Sequence, residues 1–334
     1  MHARAGVEFV ADRGDAGQRL DAAAMRHGAA HGLSRSRVQR LIAAGGIAVN
    51  DRTATRPAQR LRVGDVVRLD VVAPAARPAP AGESLPLDVA YEDDDLLVVA
   101  KAPGQVVHPS YRNPSGTLLN ALLGRAAGAW TPHLLQRLDK GTSGLVIVAK
   151  SREALAALQR SPVEKDYLAL VWGRPTPAAG RIEVKLGRDP LDRRRVTASK
   201  DGAVALTEYR TLSRTRGPAR GLTLLACRLV TGRTHQLRVH LAERGWPLVG
   251  EPVYRSPLRP RLPDPRLHRA ATSFGRQALH AWRVTFEQPR SGRRMLVIAP
   301  PPPDLEQLWL GVGLAARGWC SAPGFDGGRL SADV

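Results

Sequence analysis

The feature that most constrains the fold is a stretch rich in proline and alanine, residues 73–86, which reads APAARPAPAGESLP. It has no hydrophobic period, and such sequences form semi-stiff spacers. A second proline-rich break, at residues 300–303, follows the longer part of the chain. We therefore predict an N-terminal domain (1–72), a linker (73–86), a larger domain (87–302) and a loosely ordered C-terminal tail (303–334).

The balance of charge indicates a polyanionic partner. Among 334 residues there are 50 Lys and Arg against 30 Asp and Glu, a formal net charge of +20. Nucleic acid is the favoured partner of so basic a chain. An anionic membrane surface is the rival, but it requires an amphipathic anchor or a long apolar run. The longest uninterrupted apolar runs, residues 96–100 and 145–149, are far too short to span a bilayer, and we expect no membrane association.

Cysteine usage and the N-terminal sequence favour the cytoplasm. Cys227 and Cys320 lie far apart and form no CxxC pair, which argues against a disulfide framework and against a cysteine zinc site. Residues 1–20 carry acidic side chains and lack the continuous apolar segment of a secretory signal. For the oligomeric state, a monomer is the default expectation.

Residues 34–42 of the N-terminal domain have the pattern of a short helix. Val38, Leu41 and Ile42 follow the i, i+3, i+4 spacing of one apolar face and leave Arg37 and Arg40 on the other side. Strand and turn signals follow this helix and predict a small hairpin. A helix with an arginine face beside a hairpin is a candidate phosphate-binding surface. The alternative is that the arginines only solvate the helix.

Three segments in order, LSRSRVQRLI (33–42), GGIAVND (45–51) and VGDVV (63–67), resemble an S4-type RNA-binding domain. The resemblance covers residues 17–72. It implies an RNA partner, with Arg35, Arg37 and Arg40 as candidate phosphate contacts.

The larger domain mixes strand and helix signals, with strands in excess. Because strands outnumber crossover helices, we predict an α+β fold with a central, mainly antiparallel mixed sheet flanked by helices. The alternation in residues 163–172 places Tyr167, Ala169 and Val171 on one face of a strand. The predicted strands are 96–100, 145–149, 163–172 and 222–230, and the predicted helices are 117–123, 151–160 and 234–244.

The sharpest chemical pattern is LQRLDKGTSGLVIVAK, residues 135–150. Its charged residues lead through a turn into a buried strand, so Asp139 would stand at a rigid strand entrance, where a carboxylate can be positioned accurately. The alternative is that Asp139 only caps the turn, a common role for Asp before Gly and Thr. The sequence carries no Walker A, HExxH, GxSxG or GxGxxG motif.

Together with five further motifs, this segment resembles the pseudouridine synthases of the RluA type, which modify ribosomal and some transfer RNAs. The match runs over some 190 residues. Besides RLD at 137–139 it comprises VVAK with HP (98–101 and 108–109), EKDY (164–167), LVTGRTHQLRVH (229–240), GWPLVGE with Tyr254 (245–251), and LHA (279–281).

The resemblance implies a role for each matching residue. Asp139 is the essential carboxylate, and Arg233 pairs with it. Tyr167 stacks on the target uracil and helps to move a proton, and Leu279 packs against the base or the tyrosine. Arg137 holds the RNA backbone. In the alternative interpretation, Tyr167 and Leu279 are ordinary core residues.

Further residues of the third motif are candidate RNA contacts, namely His235 and Arg238. His235 and His240 diverge on a helix and have no third ligand near in sequence, so no metal site is expected. The isomerisation that the resemblance implies breaks the N1–C1′ bond of uridine and rejoins the sugar through C5. This reaction is redox-neutral and uses no group donor, so no cofactor is expected. Gln136 and Glu251 depart from the family pattern, which usually has His and Asp there.

The function that the resemblance implies is isomerisation of uridine in RNA. The expected substrate is 23S ribosomal RNA or a precursor of the large subunit. A transfer RNA substrate is the enzymatic alternative. Two other classes remain, an RNA-binding ribosome-assembly factor whose catalysis is dispensable and a basic DNA-binding regulator.

Overall fold

The computed structural model describes residues 5–31, 33–71, 79–192, 195–215, 221–254, 262 and 264–314. The chain divides into two compact units, Met1–Ala79 and Pro80–Val334. In the described ranges, no helix has both the length and the apolar character needed to cross a bilayer.

The N-terminal unit is a small antiparallel sheet with two helices. Its strands are ordered β1-β4-β2-β3. Val38 and Ile42 are buried in the core of this unit, as the apolar pattern of residues 34–42 predicts. The elements are β1 (Ala5–Val10), α1 (Leu20–His27), a 3₁₀ turn (Ala29–His31), α2 (Arg35–Ala43), β2 (Ile47–Val49), β3 (Arg52–Thr53) and β4 (Val66–Val71).

The larger unit is built on one extended mixed sheet. Its elements are β5 (Val89–Glu92), β6 (Leu96–Lys101), α3 (Leu118–Ala126), β7 (His133–Leu134), β8 (Ser143–Ala149), α4 (Arg152–Arg160), β9 (Glu164–Trp172), β10 (Ala179–Arg188), β11 (Val196–Ala198), β12 (Ala203–Arg214), β13 (Leu222–Leu229), α5 (Gln236–Glu243), α6 (Pro265–Ser273), β14 (Leu279–Glu287), β15 (Arg294–Ile298) and α7 (Pro303–Gly311). The strand order is β11-β10-β12-β13-β9-β14-β8-β6-β5, with β15 on β14 and β7 on β8. Only β14 and β8 run parallel among these described strands, so the prediction of a mainly antiparallel mixed sheet is confirmed.

Both faces of this sheet are covered, which explains the almost continuous apolar sequence of its central strands. Along β9, Tyr167, Ala169 and Val171 enter one core, together with residues of α3 and α5. The alternate residues Leu168 and Leu170 enter a second core with α6 and α7. The predicted alternation in this strand is thus confirmed.

Residues 80–86, the second half of the predicted linker, belong to the larger unit. The Nδ2 of Asn120 in α3 donates a hydrogen bond to the Ala81 carbonyl over 2.7 Å, and the Glu83 amide donates to the Asn120 carbonyl over 2.9 Å. A Cβ on Gly124 would lie 2.2 Å from the Glu83 carbonyl oxygen, so only glycine permits this approach. The linker prediction is therefore wrong for 80–86, while its residues 73–78 lie outside the described residues.

The prediction of a loosely ordered tail is wrong for residues 303–314. Helix α7 begins with proline at its first position, where the missing amide costs no hydrogen bond. Leu305, Leu308 and Trp309 are then buried in the second core. Residues 315–334 lie outside the described residues.

Candidate active site

Asp139 lies in the turn between β7 and β8, at the entrance to a fully buried strand. The main chain closes this turn, because the Asp139 carbonyl accepts a hydrogen bond from the Thr142 amide over 3.0 Å. The carboxylate is engaged elsewhere, since its Oδ2 accepts a hydrogen bond from Nη1 of Arg238 over 2.8 Å. The side chain is 25% exposed. Asp139 therefore combines a fixed orientation with access to solvent, which a capping role does not require.

A close contact between β8 and β14 sets the position of this turn. Gly144 has φ +114°, and a Cβ there would lie 2.1 Å from the Ala281 carbonyl oxygen. The two strands pair in parallel at this point, with Ser143 opposite His280 and Gly144 opposite Ala281. The LHA motif at residues 279–281 is thereby brought beside the RLD turn.

Arg238 links two carboxylates in the interior. Its Nε and Nη2 lie 2.9 and 2.7 Å from the two carboxylate oxygens of Glu251, and its Nη1 holds Asp139. Burial alone lowers the pKa of Arg238, but the hydrogen bond and charge of Glu251, with the charge of Asp139, raise it above the ordinary value. For Glu251, burial raises the pKa, but Arg238 and the amides of Val253 and Tyr254 lower it overall. Both ends of this bidentate pair are therefore charged.

The arginine that pairs with Asp139 is thus Arg238, and the prediction that Arg233 does so is wrong. Arg233 donates from Nε to the Val204 carbonyl over 3.2 Å and is exposed to solvent. It precedes His235, whose left-handed backbone (φ 55°) turns the chain before α5 begins. The guanidinium of Arg238 is buried and held by two carboxylates, and its contact with RNA stays a prediction.

His235 contacts the same group of residues from the start of α5. Its Nδ1 lies 2.7 Å from the Tyr254 hydroxyl, whereas its Nε2 is 3.6 Å from Oδ1 of Asp139, too long for a hydrogen bond. Burial, and to a lesser degree Arg238, lowers the pKa of His235, against the charge of Asp139. His240 is fully buried and lies 3.0 Å from the Thr207 hydroxyl. Within the described part of the chain, no three His, Cys, Asp or Glu side chains come together as a metal site.

Tyr167 and Leu279 meet on neighbouring strands, β9 and β14, where Leu279 pairs with Ala169 and Ala281 pairs with Tyr167. Both side chains are buried in the core, and both also line a cavity of about 60 Å³ together with Asp139 and Arg233. Burial, followed by the charges of Asp139 and Asp166, raises the pKa of Tyr167 well above its usual value. The phenol therefore stays protonated at neutral pH.

A larger cleft, of about 970 Å³, opens from the other side of Asp139. It shares Asp139, Arg137, His235 and Arg238 with the smaller cavity, so the carboxylate stands where the two meet. Arg137 is exposed at this junction. The structure thus brings together seven of the residues that the sequence singled out: Asp139, Tyr167, Leu279, Arg137, Arg233, His235 and Arg238.

Comparison with known proteins identifies the family. Residues 95–243 match the family model for RNA pseudouridylate synthase, and residues 18–67 match the S4 domain. A ribosomal large subunit pseudouridine synthase D of Xanthomonas campestris pv. campestris is 40% identical over 83% of this chain and 84% of the relative. The chain belongs to the RNA pseudouridylate synthase family.

Two other matches agree with this assignment. An uncharacterized RNA pseudouridine synthase of Chloroflexus aurantiacus is 43% identical over 84% of this chain and 85% of the relative. Among solved structures, human RNA pseudouridylate synthase domain containing 1 aligns with a TM-score of 0.51 and 26% identity, over 66% of this chain and 86% of that one. This synthase is therefore an isomerase that converts uridine to pseudouridine, and its S4 domain makes RNA its partner.

The sequence interpretation missed residues that organise the synthase site. Gln236 is buried and holds the third motif in place: its Oε1 accepts from the Arg233 amide over 3.0 Å, and its Nε2 donates to the Leu206 carbonyl over 2.9 Å. Lys101 donates to the carbonyls of Ala102 and Gln105 over 2.8 and 2.9 Å. Burial lowers the pKa of Lys101 to about 7. A polar residue at the end of an apolar strand was the available signal for Lys101.

The predicted phosphate contacts of the S4 domain lie in the other unit. Nε of Arg35 donates to the buried carboxylate of Asp21 over 3.2 Å, and Arg19 holds the same carboxylate. Arg37 is partly exposed and Arg40 is exposed on α2. Contact of these three arginines with RNA stays a prediction.

Proposed function

We propose that this synthase modifies ribosomal RNA of the large subunit, in 23S RNA or a precursor particle. Supporting the substrate, the relatives from Xanthomonas campestris pv. campestris and Nitrosomonas europaea, 40% and 39% identical, are both named ribosomal large subunit pseudouridine synthase D. The net charge of +20 and the S4 domain favour a long polyanionic partner. A cytoplasmic location, with no membrane association, is part of this proposal.

One observation carries the proposed chemistry: Asp139, held by Arg238, stands at the mouth of a cavity lined by Tyr167 and Leu279. Asp139 is the carboxylate that starts cleavage of the N1–C1′ bond of an extruded uridine. The freed uracil turns within the site, C5 bonds to C1′, the C5 proton leaves and N1 gains a proton. Nothing is oxidised or reduced, and every atom of the substrate remains in the product apart from that proton exchange.

The surrounding residues divide the remaining work. Tyr167 stacks on the uracil, because extrusion costs a few kcal/mol and base–aromatic stacking is worth about 1 to 3 kcal/mol. Leu279 packs against the base or the tyrosine. Arg137 and Arg233 contact the RNA, since both are exposed beside Asp139. A single chain supplies all of these groups, which supports action as a monomer.

The test is chemical mapping of pseudouridines in total RNA from cells with and without the gene, complemented by wild type or by Asp139→Asn. We expect one or more sites in 23S RNA to disappear in the deletion, to return with wild type and to stay absent with the variant. Loss confined to transfer RNA would instead identify a transfer RNA synthase. Rescue of ribosome profiles by Asp139→Asn would favour an assembly factor, and equal affinity for duplex DNA and RNA at matched salt would favour a DNA-binding regulator.

A further inference from the structure

The larger cleft reaches well beyond the groups that the proposed isomerisation uses. From Asp139 it extends to Phe274 and Arg276, which follow α6, and to Asp304 in α7. Its volume of about 970 Å³ lies near the top of the range of roughly 300 to 1,000 Å³ typical of ligand pockets. The cleft therefore has room for more than the target nucleoside.

An aromatic ring with a fixed support stands in the far wall. The guanidinium of Arg276 lies 5.2 Å from the centroid of the Phe274 ring. Asp304 holds Arg276 through two hydrogen bonds of 2.7 and 2.9 Å, and Nη1 of Arg276 donates to the Gly141 carbonyl over 3.0 Å. Gly141 belongs to the catalytic turn. The ring is thus tied to the turn that carries Asp139.

The chemistry of this wall suits a base better than a phosphate. Arg276 is neutralised by Asp304, and its donors on Nε, Nη1 and Nη2 all serve protein oxygens. What the wall offers to a ligand is the ring of Phe274. Aromatic side chains stack on unpaired bases of RNA loops, and this stacking depends little on base identity.

Phe274 also differs from the aromatic residues of the core. Phe286, Trp282 and Trp309 in the same unit are at most 1% exposed. Phe274 packs against the second core at one edge but is partly exposed and lines the cleft. Part of the Phe274 side chain is therefore accessible from the cleft.

We propose that Phe274 is the stacking platform for a second unpaired base of the RNA, from a nucleotide that flanks the target uridine. This inference rests on the proposed function, since it takes RNA as the ligand of the cleft. It makes Phe274 a substrate-binding residue that selects RNA in which a neighbour of the target is also out of the helix.

The experiment combines variants of the full chain with abasic RNA. A 23S stem-loop that carries the mapped uridine is made with a single abasic nucleotide at each flanking position in turn. Its Kd and single-turnover rate are measured for wild type, for Phe274→Leu, which keeps apolar bulk, and for Phe274→Trp, which keeps an aromatic face. Phe286→Leu is the matched control, because it makes the same change in a buried ring of the same unit.

At one flanking position, we expect the abasic change to weaken binding to wild type by about 5- to 150-fold. The same change should have no further effect on Phe274→Leu, whereas Phe274→Trp and Phe286→Leu should keep the wild-type pattern. If the abasic change weakens binding to Phe274→Leu as much as binding to wild type at every flanking position, the platform is ruled out. If Phe274→Leu does not fold, the same measurement is made on Phe274→Met and Phe274→Trp. The abasic effect should then be lost in Phe274→Met and kept in Phe274→Trp.

The two proposals fail separately in this design. Formation of pseudouridine with an abasic pattern independent of Phe274 would refute the platform and leave the activity intact. An abasic effect on binding that depends on Phe274, without formation of pseudouridine, would refute the proposed substrate and retain the platform.

Discussion

Nη1 of Arg238 donates a hydrogen bond to Oδ2 of Asp139 over 2.8 Å, joining residues 99 positions apart in the chain. Glu251 orients the other side of the same guanidinium. The Asp139 carboxylate is thus held by an arginine that is itself held by a second, buried carboxylate. Preorganised charge of this kind stabilises a transition state without reorganisation during the reaction.

Removing the charge of Glu251 should misplace Asp139 without touching the substrate. We expect Glu251→Gln to lower the single-turnover rate by about 10- to 100-fold, because small errors in position cost this much, while RNA affinity stays near wild type. Glu251→Asp keeps the charge that the family usually carries there and should restore much of the rate. Equal rates for Glu251→Gln and wild type would show that this link is not needed.

The exchange of roles between Arg233 and Arg238 can be tested by a pair of variants. Arg238→Gln removes the partner of Asp139, so kcat should fall by about 100-fold or more. Arg233→Gln removes an exposed cation, so KM should rise and the slope of log affinity against log salt should flatten by about 1. A loss confined to kcat in Arg233→Gln would restore the original assignment from the sequence.

We expect Tyr167 to act by stacking its ring on the uracil and not through an ionised phenol oxygen. Because burial raises its pKa well above the usual value, the rate should show no limb from its ionisation between pH 6 and 9. Tyr167→Phe should keep RNA affinity within a few-fold, whereas Tyr167→Leu should lose about 5- to 150-fold through the missing stacking. Binding of a single-stranded fragment, measured for both variants, distinguishes these outcomes.

How much the sequence could reveal differs from residue to residue. Asp139 was accessible because a charged triplet before a buried strand is a local pattern, and the family resemblance extended it to Tyr167 and Leu279. The choice between Arg233 and Arg238 was not accessible, because both belong to the same motif and only the folded chain shows which of them meets Asp139. The arginine that pairs with Asp139 could therefore be identified only from the folded chain.

The C-terminal helix was missed for a different reason. Leu305, Leu308 and Trp309 have the i, i+3, i+4 spacing of an apolar helix face, so the signal was present in the sequence. The proline-rich break before it suggested that the fold ended there. Prolines at the start of a helix are compatible with it, and here they open α7.

The S4 domain should contribute contacts to RNA phosphates that do not depend on the RNA sequence. Arg40→Gln removes one exposed cation of α2, so the slope of log affinity against log salt should flatten by about 1 while the modified uridine stays the same. Arg68→Gln is the matched control, because Arg68 is an exposed arginine of the same unit that lies on β4 and not on α2. An unchanged slope in Arg40→Gln would remove α2 from the RNA interface.

Two buried histidines should make the larger unit unstable in acid. Burial lowers the pKa of both His240 and His280 from 6.5 to about 4. The Ser143 hydroxyl lies 3.0 Å from Nδ1 of His280 and the Ala299 carbonyl 3.1 Å from Nε2, which matches a neutral ring with its proton on Nε2. His240 has no partner for Nε2 among the described atoms, so a charge there would be unpaired.

The sign follows from the direction of these shifts. Above pH 6.5 the rings are neutral in both states, whereas between pH 6.5 and 4 only the unfolded chain takes up the protons. The free energy of unfolding should therefore decrease as the pH is lowered through this window. The expected loss is roughly 2 to 3 kcal/mol for each histidine between pH 7 and 4.5. Urea denaturation at the two pH values measures the loss. His280→Gln should reduce the pH dependence, whereas His31→Gln, at an exposed position of the other unit, should leave it unchanged. Equal pH dependence in His280→Gln and wild type would contradict the assignment of a buried neutral ring.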